Sequence, residues 1–297
     1  MREVTMARPI CGTVRAGEIS QAFVEWHKDR EGAGPTLLMT HATGFHARMW
    51  DEIAIHLPEY HIIAVDQRGH GDSGGEPVEN WSVFGDDLVA LIKDLNLTNI
   101  VGVGHSMGGH ATIDAAAKVQ DRFRRIIAID PVVAPPEAYE VAPVQSVSTA
   151  DMNPASKRKE FFASPEEMFE RFVDRTPYKV FTKTMLANYC TYGLKPADGG
   201  GYRLACAPEM EASIYMTSRS NKRIFQSIKS IDMPVIIVRA RAPDKTSERD
   251  FSLSPTWPKL SEQFLEGRDL HLADRTHFIP MEIPEYVASL IHREATS

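Results

Sequence analysis

The residues with the most evident chemical use lie in Gly104-His105-Ser106-Met107-Gly108. Glycines two positions before and two positions after a serine suit a turn too sharp to admit a Cβ at either flank. Such a turn strains the central residue and lifts its hydroxyl clear of the chain. A hydroxyl held that way attacks carbonyl carbon once a base removes its proton, and histidine titrates near neutral pH. The chain has 11 histidines. His41 and His70 sit in turns after apolar runs, where structural roles are expected. His105 adjoins the serine and points away from it, and His271 falls inside a strand pattern. Only His277 lies in a loop just past the last apolar run, on the sheet edge that would also carry Ser106. Ser106 and His277 are therefore the expected nucleophile and base.

The same glycines allow a rival reading. Gly102, Gly104 and Gly108 form G-x-G-x-x-x-G after a strand, and Asp130 ends the next one, as a ribose-binding acid would in a dinucleotide fold. That unit would be internal rather than the first βα turn, and it leaves the motifs below without a role. The nucleophile reading is preferred.

The elements that must position these residues follow from hydrophobic periodicity. Residues 9–27 alternate around Ala16-Gly17, which predicts an antiparallel hairpin. Short apolar runs at Thr36–Thr40, His61–Val65, Ile100–Val103 and Arg125–Ile129 alternate with helical patterns at Met49–Leu57, Trp81–Leu95 and Met107–Val119. That rhythm predicts an α/β fold with a mostly parallel sheet and helices on both faces. It breaks at Pro131 and resumes at Pro234–Val238, then Asp269–Leu272, then a last helix over Pro284–Arg293. The stretch between the breaks is far longer than a usual connection of about 2–6 residues. It carries Phe181, Met185 and Tyr189 at helical spacing. The expected division is a core of residues 1–131 and 231–297, with residues 132–230 as an inserted, mainly helical cap.

Three further motifs, taken with the serine turn, carry a family resemblance. They are His41-Ala42-Thr43-Gly44-Phe45 followed by Trp50, Asp66-Gln67-Arg68-Gly69-His70-Gly71-Asp72-Ser73, and Thr276-His277-Phe278 followed by Glu282-Ile283-Pro284-Glu285. In this order they resemble the α/β-hydrolase fold family over nearly the whole chain outside the insertion. The resemblance implies that residues 41–45 form an oxyanion loop, with Thr43 N–H as one donor (Gly44 as the fallback) and Met107 N–H as the other. The family usually has glycine where this chain has Ala42. The resemblance also implies Asp244 as the triad acid, since it follows the strand ending near Ala240 and keeps the order Ser…Asp…His. Asp130, at the end of the preceding strand, is the alternative, because some lidded relatives take the acid from there. In either case the acid holds the imidazole tautomer rather than accepting a proton.

Composition narrows the partners. The 297 residues carry a net charge of −7, which argues against a nucleic-acid partner. The longest basic cluster, Lys157-Arg158-Lys159, reads as a solvated helix face. Cys11, Cys190 and Cys206 form no CxxC pair or disulfide framework, and residues 1–12 hold no apolar signal segment. A cytoplasmic protein with no membrane partner is expected. Neither H-E-x-x-H nor a Cys/His cluster occurs, so no metal and no cofactor are expected. The expected function is a serine hydrolase acting through an acyl-enzyme on an ester, lactone or thioester of a largely apolar small molecule. The cap's Phe, Tyr and Met side chains suggest the apolar character. A carbon–carbon bond hydrolase or cofactor-free perhydrolase on the same triad is the alternative within this chemistry, and a non-catalytic ligand receptor is the alternative outside it. A serine rather than an aspartate at position 106 argues against epoxide or haloalkane hydrolysis, and leaves Tyr189 and Tyr192 as packing or pocket wall.

Overall fold

The computed structural model describes residues 9–141, 153–243 and 250–297. Strands β1 (Ile10–Ala16) and β2 (Ile19–Trp26) form the expected hairpin. Then come β3 (Thr36–Thr40), α1 (Asp51–Ala54), β4 (His61–Val65), α2 (Ser82–Asp94), β5 (Ile100–His105), α3 (Met107–Lys118) and β6 (Phe123–Ile129). After the insertion, β10 (Val235–Arg239) and β11 (Gly267–His271) complete the sheet, and α9 (Ile279–Glu282) and α10 (Pro284–Thr296) end the chain. The eight strands run in the order β1-β2-β4-β3-β5-β6-β10-β11. All pairings from β4 to β11 are parallel, and only β1–β2 and β2–β4 are antiparallel.

Side chains alternate across the sheet, so each strand feeds two cores. Leu37 and Met39 pack with Ile53 of α1 and with Val287, Leu290 and Ile291 of α10. Leu38 and Ile63 face the other way, onto Leu88 and Leu91 of α2, Ile113 of α3, and Ile224 and Ile228 of a helix from the insertion. Both faces are covered, which is why β3, β4 and β5 read as unbroken apolar runs. The parallel run also brings every β-to-α loop from β3 onward to one carboxyl rim.

Between β6 and β10 the chain forms α4 (Glu137–Val141), β7 (Phe161–Phe162), α5 (Pro165–Phe172), α6 (Lys183–Tyr192), β8 (Leu194–Pro196), β9 (Tyr202–Leu204), α7 (Pro208–Met216) and α8 (Ile224–Ser230). The short strands make an antiparallel sheet ordered β7-β9-β8, an element the helical periodicity did not reveal. Two- and three-residue strands are too short to display a period of two. Phe181, Met185 and Tyr189 are buried, in one cluster with Phe45 and Phe278 of the loops at the carboxyl rim. α8 instead supplies the two isoleucines beside α3. Among the described residues no helix is long and apolar enough to cross a membrane.

Candidate active site

Ser106 stands between β5 and α3 at φ 58°, ψ −118°. Such a backbone is costly for a residue with a Cβ and persists only when its surroundings hold it. Here Ser106 N donates to Ile129 O (3.0 Å), and its carbonyl accepts from Val132 N (3.1 Å) and His110 N (3.3 Å). The flanking glycines serve close approach. A Cβ on Gly104 would come within 2.5 Å of Gly108 O, and one on Gly108 would overlap the carbonyls of Thr40 and His41. α3 therefore begins pressed against the end of β3, and its positive N-terminal end lies beside the 41–45 loop.

His277, in the loop after β11, brings Nε2 to 2.9 Å from Ser106 Oγ and Nδ1 to 2.7 Å from Asp130 Oδ2. Asp130 is fully buried at φ 45°. Its Oδ1 accepts from Ala240 N (3.1 Å), Ser254 Oγ (2.5 Å) and Thr256 Oγ1 (3.1 Å). These donors turn the second oxygen toward the ring, so the proton sits on Nδ1 and the Nε2 lone pair faces the hydroxyl. Of the two acids expected from the sequence, it is the alternative, Asp130, that meets the imidazole. Asp244 lies outside the described residues, and the ring nitrogen that a triad acid must hold is held by Asp130. The reason is tertiary: Ser254 N donates to Arg241 O (2.9 Å), folding the chain after β10 back so that Ser254 and Thr256 reach Asp130. Neither residue stood out in the sequence. With both oxygens engaged, Asp130 is also not free for the ribose-binding role of the rival dinucleotide reading.

His105 turns away from the serine, as expected, but it is not idle. Its Nε2–H donates to His277 O (2.8 Å), and burial, with His277 nearby, lowers its pKa to about 3. A neutral imidazole thus supports the loop that carries His277.

The 41–45 loop closes with Phe45 N donating to Ala42 O (3.1 Å), and Gly44 at φ 79° takes the left-handed position of a type II turn. Gly44 N–H points to His70 Nε2 (2.9 Å) and so cannot serve as the fallback donor. Among the described residues no acceptor is found for Thr43 N–H or Met107 N–H. The Thr43 hydroxyl donates to Met107 Sδ at 3.5 Å, which brings the two residues together. A developing oxyanion requires unpaired amides beside the attacking hydroxyl, and these two residues offer them.

Above this loop the insertion contributes aromatic and ionic contacts. Phe45 packs edge-on against Tyr189 and Phe278, and Phe181 joins them. Arg158 departs from the solvated face read from its neighbours. It turns inward to pair with Glu211, and its Nη2 donates to the hydroxyls of Tyr189 (2.8 Å) and Tyr178 (3.3 Å). A Cβ on Gly44 would lie 3.1 Å from Glu211 Oε1, so this buried pair rests on the loop itself. A local charge run cannot reveal a partner 53 residues away. Cys206 is a buried thiol, its pKa pushed well up by burial, in keeping with a small apolar side chain.

Residues 37–290 match the model of the alpha/beta hydrolase family. The chain belongs to that family. Among its relatives, the 2-(acetamidomethylene)succinate hydrolase of Mesorhizobium japonicum is 28% identical over 216 residues, which cover 71% of this chain and 72% of that enzyme. Lipase LipV of Mycobacterium tuberculosis is 33% identical over 144 residues, covering 46% of this chain and 54% of the lipase. Among solved structures, an E-2-(acetamidomethylene)succinate hydrolase superposes with a TM-score of 0.75 at 23% identity, covering 98% of this alpha/beta hydrolase and all of that chain. At that identity the superposition speaks for the fold alone.

Proposed function

We propose that this alpha/beta hydrolase cleaves the ester, lactone or thioester bond of a small, largely apolar molecule through an acyl-enzyme on Ser106. The observation that carries the reading is the continuous chain from Ser106 Oγ to His277 (2.9 Å) to Asp130 (2.7 Å), beside the free amides of Thr43 and Met107. Ser106 Oγ attacks the carbonyl carbon while His277 Nε2 takes its proton, and the oxyanion is held by the two amides. The bond to the leaving group breaks as His277 returns that proton to it. Water then attacks the acyl carbon, gives a proton to His277, and the acid departs with the serine restored. Asp130 keeps the imidazole in the productive tautomer. The insertion acts as a cap whose Phe181 and Tyr189 pack with Phe45 and Phe278 of the rim loops, an apolar cluster against which the substrate would bind.

A second reading of the substrate rests on Arg158. With Glu211, Tyr178 and Tyr189 it forms a polar patch against Gly44, suited to a carboxylate or amide on the substrate. The name of the Mesorhizobium japonicum relative describes a substrate of that type.

One panel tests both readings. Wild type and Ser106→Ala are assayed for labelling by a fluorophosphonate and for hydrolysis of p-nitrophenyl esters of graded length, lactones, thioesters and esters bearing a free carboxylate. Labelling and hydrolysis by wild type only are expected. A preference for the carboxylate series over its neutral isosteres would favour the second reading. Cleavage confined to vinylogous diketones would move the reaction to carbon–carbon bonds. A wild type that neither labels nor hydrolyses would make the fold a receptor and end the proposal.

A further inference from the structure

We propose that His70 is a positioning residue for the oxyanion hole, its neutral Nε2 fixing the Thr43–Gly44 peptide and so the turn that carries the Thr43 amide. The inference rests on the acyl-transfer reading above and adds a residue that lies outside the triad and the hole.

The tautomer follows from the partners. His70 Nδ1 lies 2.8 Å from Arg68 O, and a carbonyl only accepts, so Nδ1 carries the proton. Nε2 is then a bare lone pair, and it receives Gly44 N–H at 2.9 Å. That N–H belongs to the central peptide of the 42–45 turn, the one whose orientation separates a type II turn from a type I turn. Holding it fixes ψ of Thr43 and φ of Gly44 and so keeps the turn type II, while the preceding peptide, which carries Thr43 N–H, is held at its carbonyl, Ala42 O, by His41 Nδ1–H (2.7 Å) and Phe45 N–H (3.1 Å).

The surrounding contacts make this hold specific. His41 repeats the arrangement one step earlier: its Nδ1–H donates to Ala42 O (2.7 Å), and its Nε2 accepts from Gln67 N (3.0 Å). Gln67 Nε2 donates in return to His41 O (2.5 Å), and the two imidazoles lie 5.0 Å apart. Asp66 accepts from Ala47 N (2.7 Å) at the far end of the loop and from Asp72 N (2.9 Å) within its own turn. Residues 66–72 thus grip the 41–47 loop at three points, and His70 is the one of them that holds the central peptide of the turn, whose Gly44 N–H also lies within reach of the Cys206 thiol. Glu211 also packs close to Gly44, where a Cβ would come within 3.1 Å of its Oε1. A protonated His70 would set one N–H against another. Burial, partly offset by bonds to the Arg68 and Gln67 backbone, lowers its pKa to about 4 and keeps the lone pair free.

The test compares His70→Leu, which removes the acceptor, with His70→Gln, whose Oε1 can reach the same amide. For His70→Leu the expectation is a fall in kcat of about tenfold to a hundredfold, short of the loss from deleting an oxyanion donor outright, with KM nearly unchanged. Affinity for a boronic acid, which binds as a tetrahedral adduct, should fall by the same factor, while affinity for the product acid holds. His70→Gln should recover most of both. Wild-type kcat and boronate affinity in a folded His70→Leu would overturn the inference. So would equal losses in KM and product affinity, which mark a merely structural role. A readout independent of activity is the scalar coupling between Gly44 15N and His70 15Nε2 across the hydrogen bond in the wild type. Its absence overturns the inference even if His70→Leu does not fold. A wild type inert toward every substrate but showing the coupling would defeat the acyl-transfer reading while leaving the grip of His70 on the loop in place.

Discussion

Among the described residues a hydroxyl, an imidazole and a carboxylate line up at each of two opposite rims of one sheet. At the carboxyl rim they are Ser106, His277 and Asp130. At the amino rim Thr36 Oγ1 meets His61 Nδ1 at 3.2 Å, and His61 Nε2 meets Glu25 Oε1 at 2.8 Å. Burial does not separate the two sets, since Ser106 and Thr36 are about equally enclosed. The difference lies in the backbone. Thr36 is the first residue of a regular strand, in register with His61 on the next, and its N–H is bonded to Asn99 O (3.2 Å). Among the described residues no helix begins at it, and its own amide is paired. Ser106 leaves its strand at φ 58°, with α3 beginning at the next residue and the Met107 amide without an acceptor among the described residues. The three side chains alone make a buried hydrogen-bond relay. On the proposed reading, it is the strained turn and the unpaired amides that make Ser106 a nucleophile.

The contrast can be broken most sharply at the hydroxyls. Ser106→Ala should lower kcat by roughly 10³- to 10⁶-fold, while Thr36→Val should leave it within about twofold, both measured on the best ester of the panel. An equal loss from Thr36→Val would give the amino rim a part in the chemistry. The next largest effect is expected at the acids. Asp130→Asn should cost about 10⁴-fold in kcat, because the amide favours the wrong imidazole tautomer, and Asp244→Asn should behave as wild type. A loss confined to the Asp244 variant would restore the sequence-based choice.

The amino-rim relay should appear in stability instead. His61→Phe leaves Thr36 and Glu25 without their buried partner and should lower unfolding free energy by about 2 kcal/mol in urea titration, with kcat intact. An unchanged midpoint would make the relay decorative.

The most gradual effect is that of pH. Burial lowers the pKa of His46 and His70 to about 4 and of His105 to about 3, and lowers that of His41 as well. The unfolded chain takes up these protons near pH 6.5, so their stabilisation is complete above that pH and lost as pH falls toward 4. The slope is about 1.4 kcal/mol per pH unit for each histidine. Asp66, raised by burial to about 6, works the other way: its contribution is full below its unfolded value and declines as pH rises through 6. His110 is lowered by burial too, while Asp51, Glu52 and Asp87 are raised like Asp66 but are less enclosed than the fully buried rings, so urea midpoints should drop between pH 6.5 and 4, and His70→Gln should soften the drop. Midpoints that stay flat over this interval would mean that these rings titrate in the fold as they do in the open chain.

What the sequence determined by itself is what depends on neighbours along the chain. Glycines at 104 and 108 announce a turn that admits no Cβ, and alternating runs announce buried parallel strands. A histidine just past the last strand must reach the rim where those turns lie. Partners brought from afar were decided only by the tertiary structure. Asp130 carries nothing in its own neighbourhood to distinguish it from Asp244; it is distinguished by donors 124 and 126 positions away that saturate one of its oxygens. Arg158 reads as a surface charge until Glu211 is brought beneath it, and His70 reads as a turn residue until Gly44 turns its N–H toward the ring. Backbone strain is written locally because it is a property of adjacent residues. Hydrogen-bond partnership is not, because which donor meets which acceptor is set by how the loops fold back over the sheet.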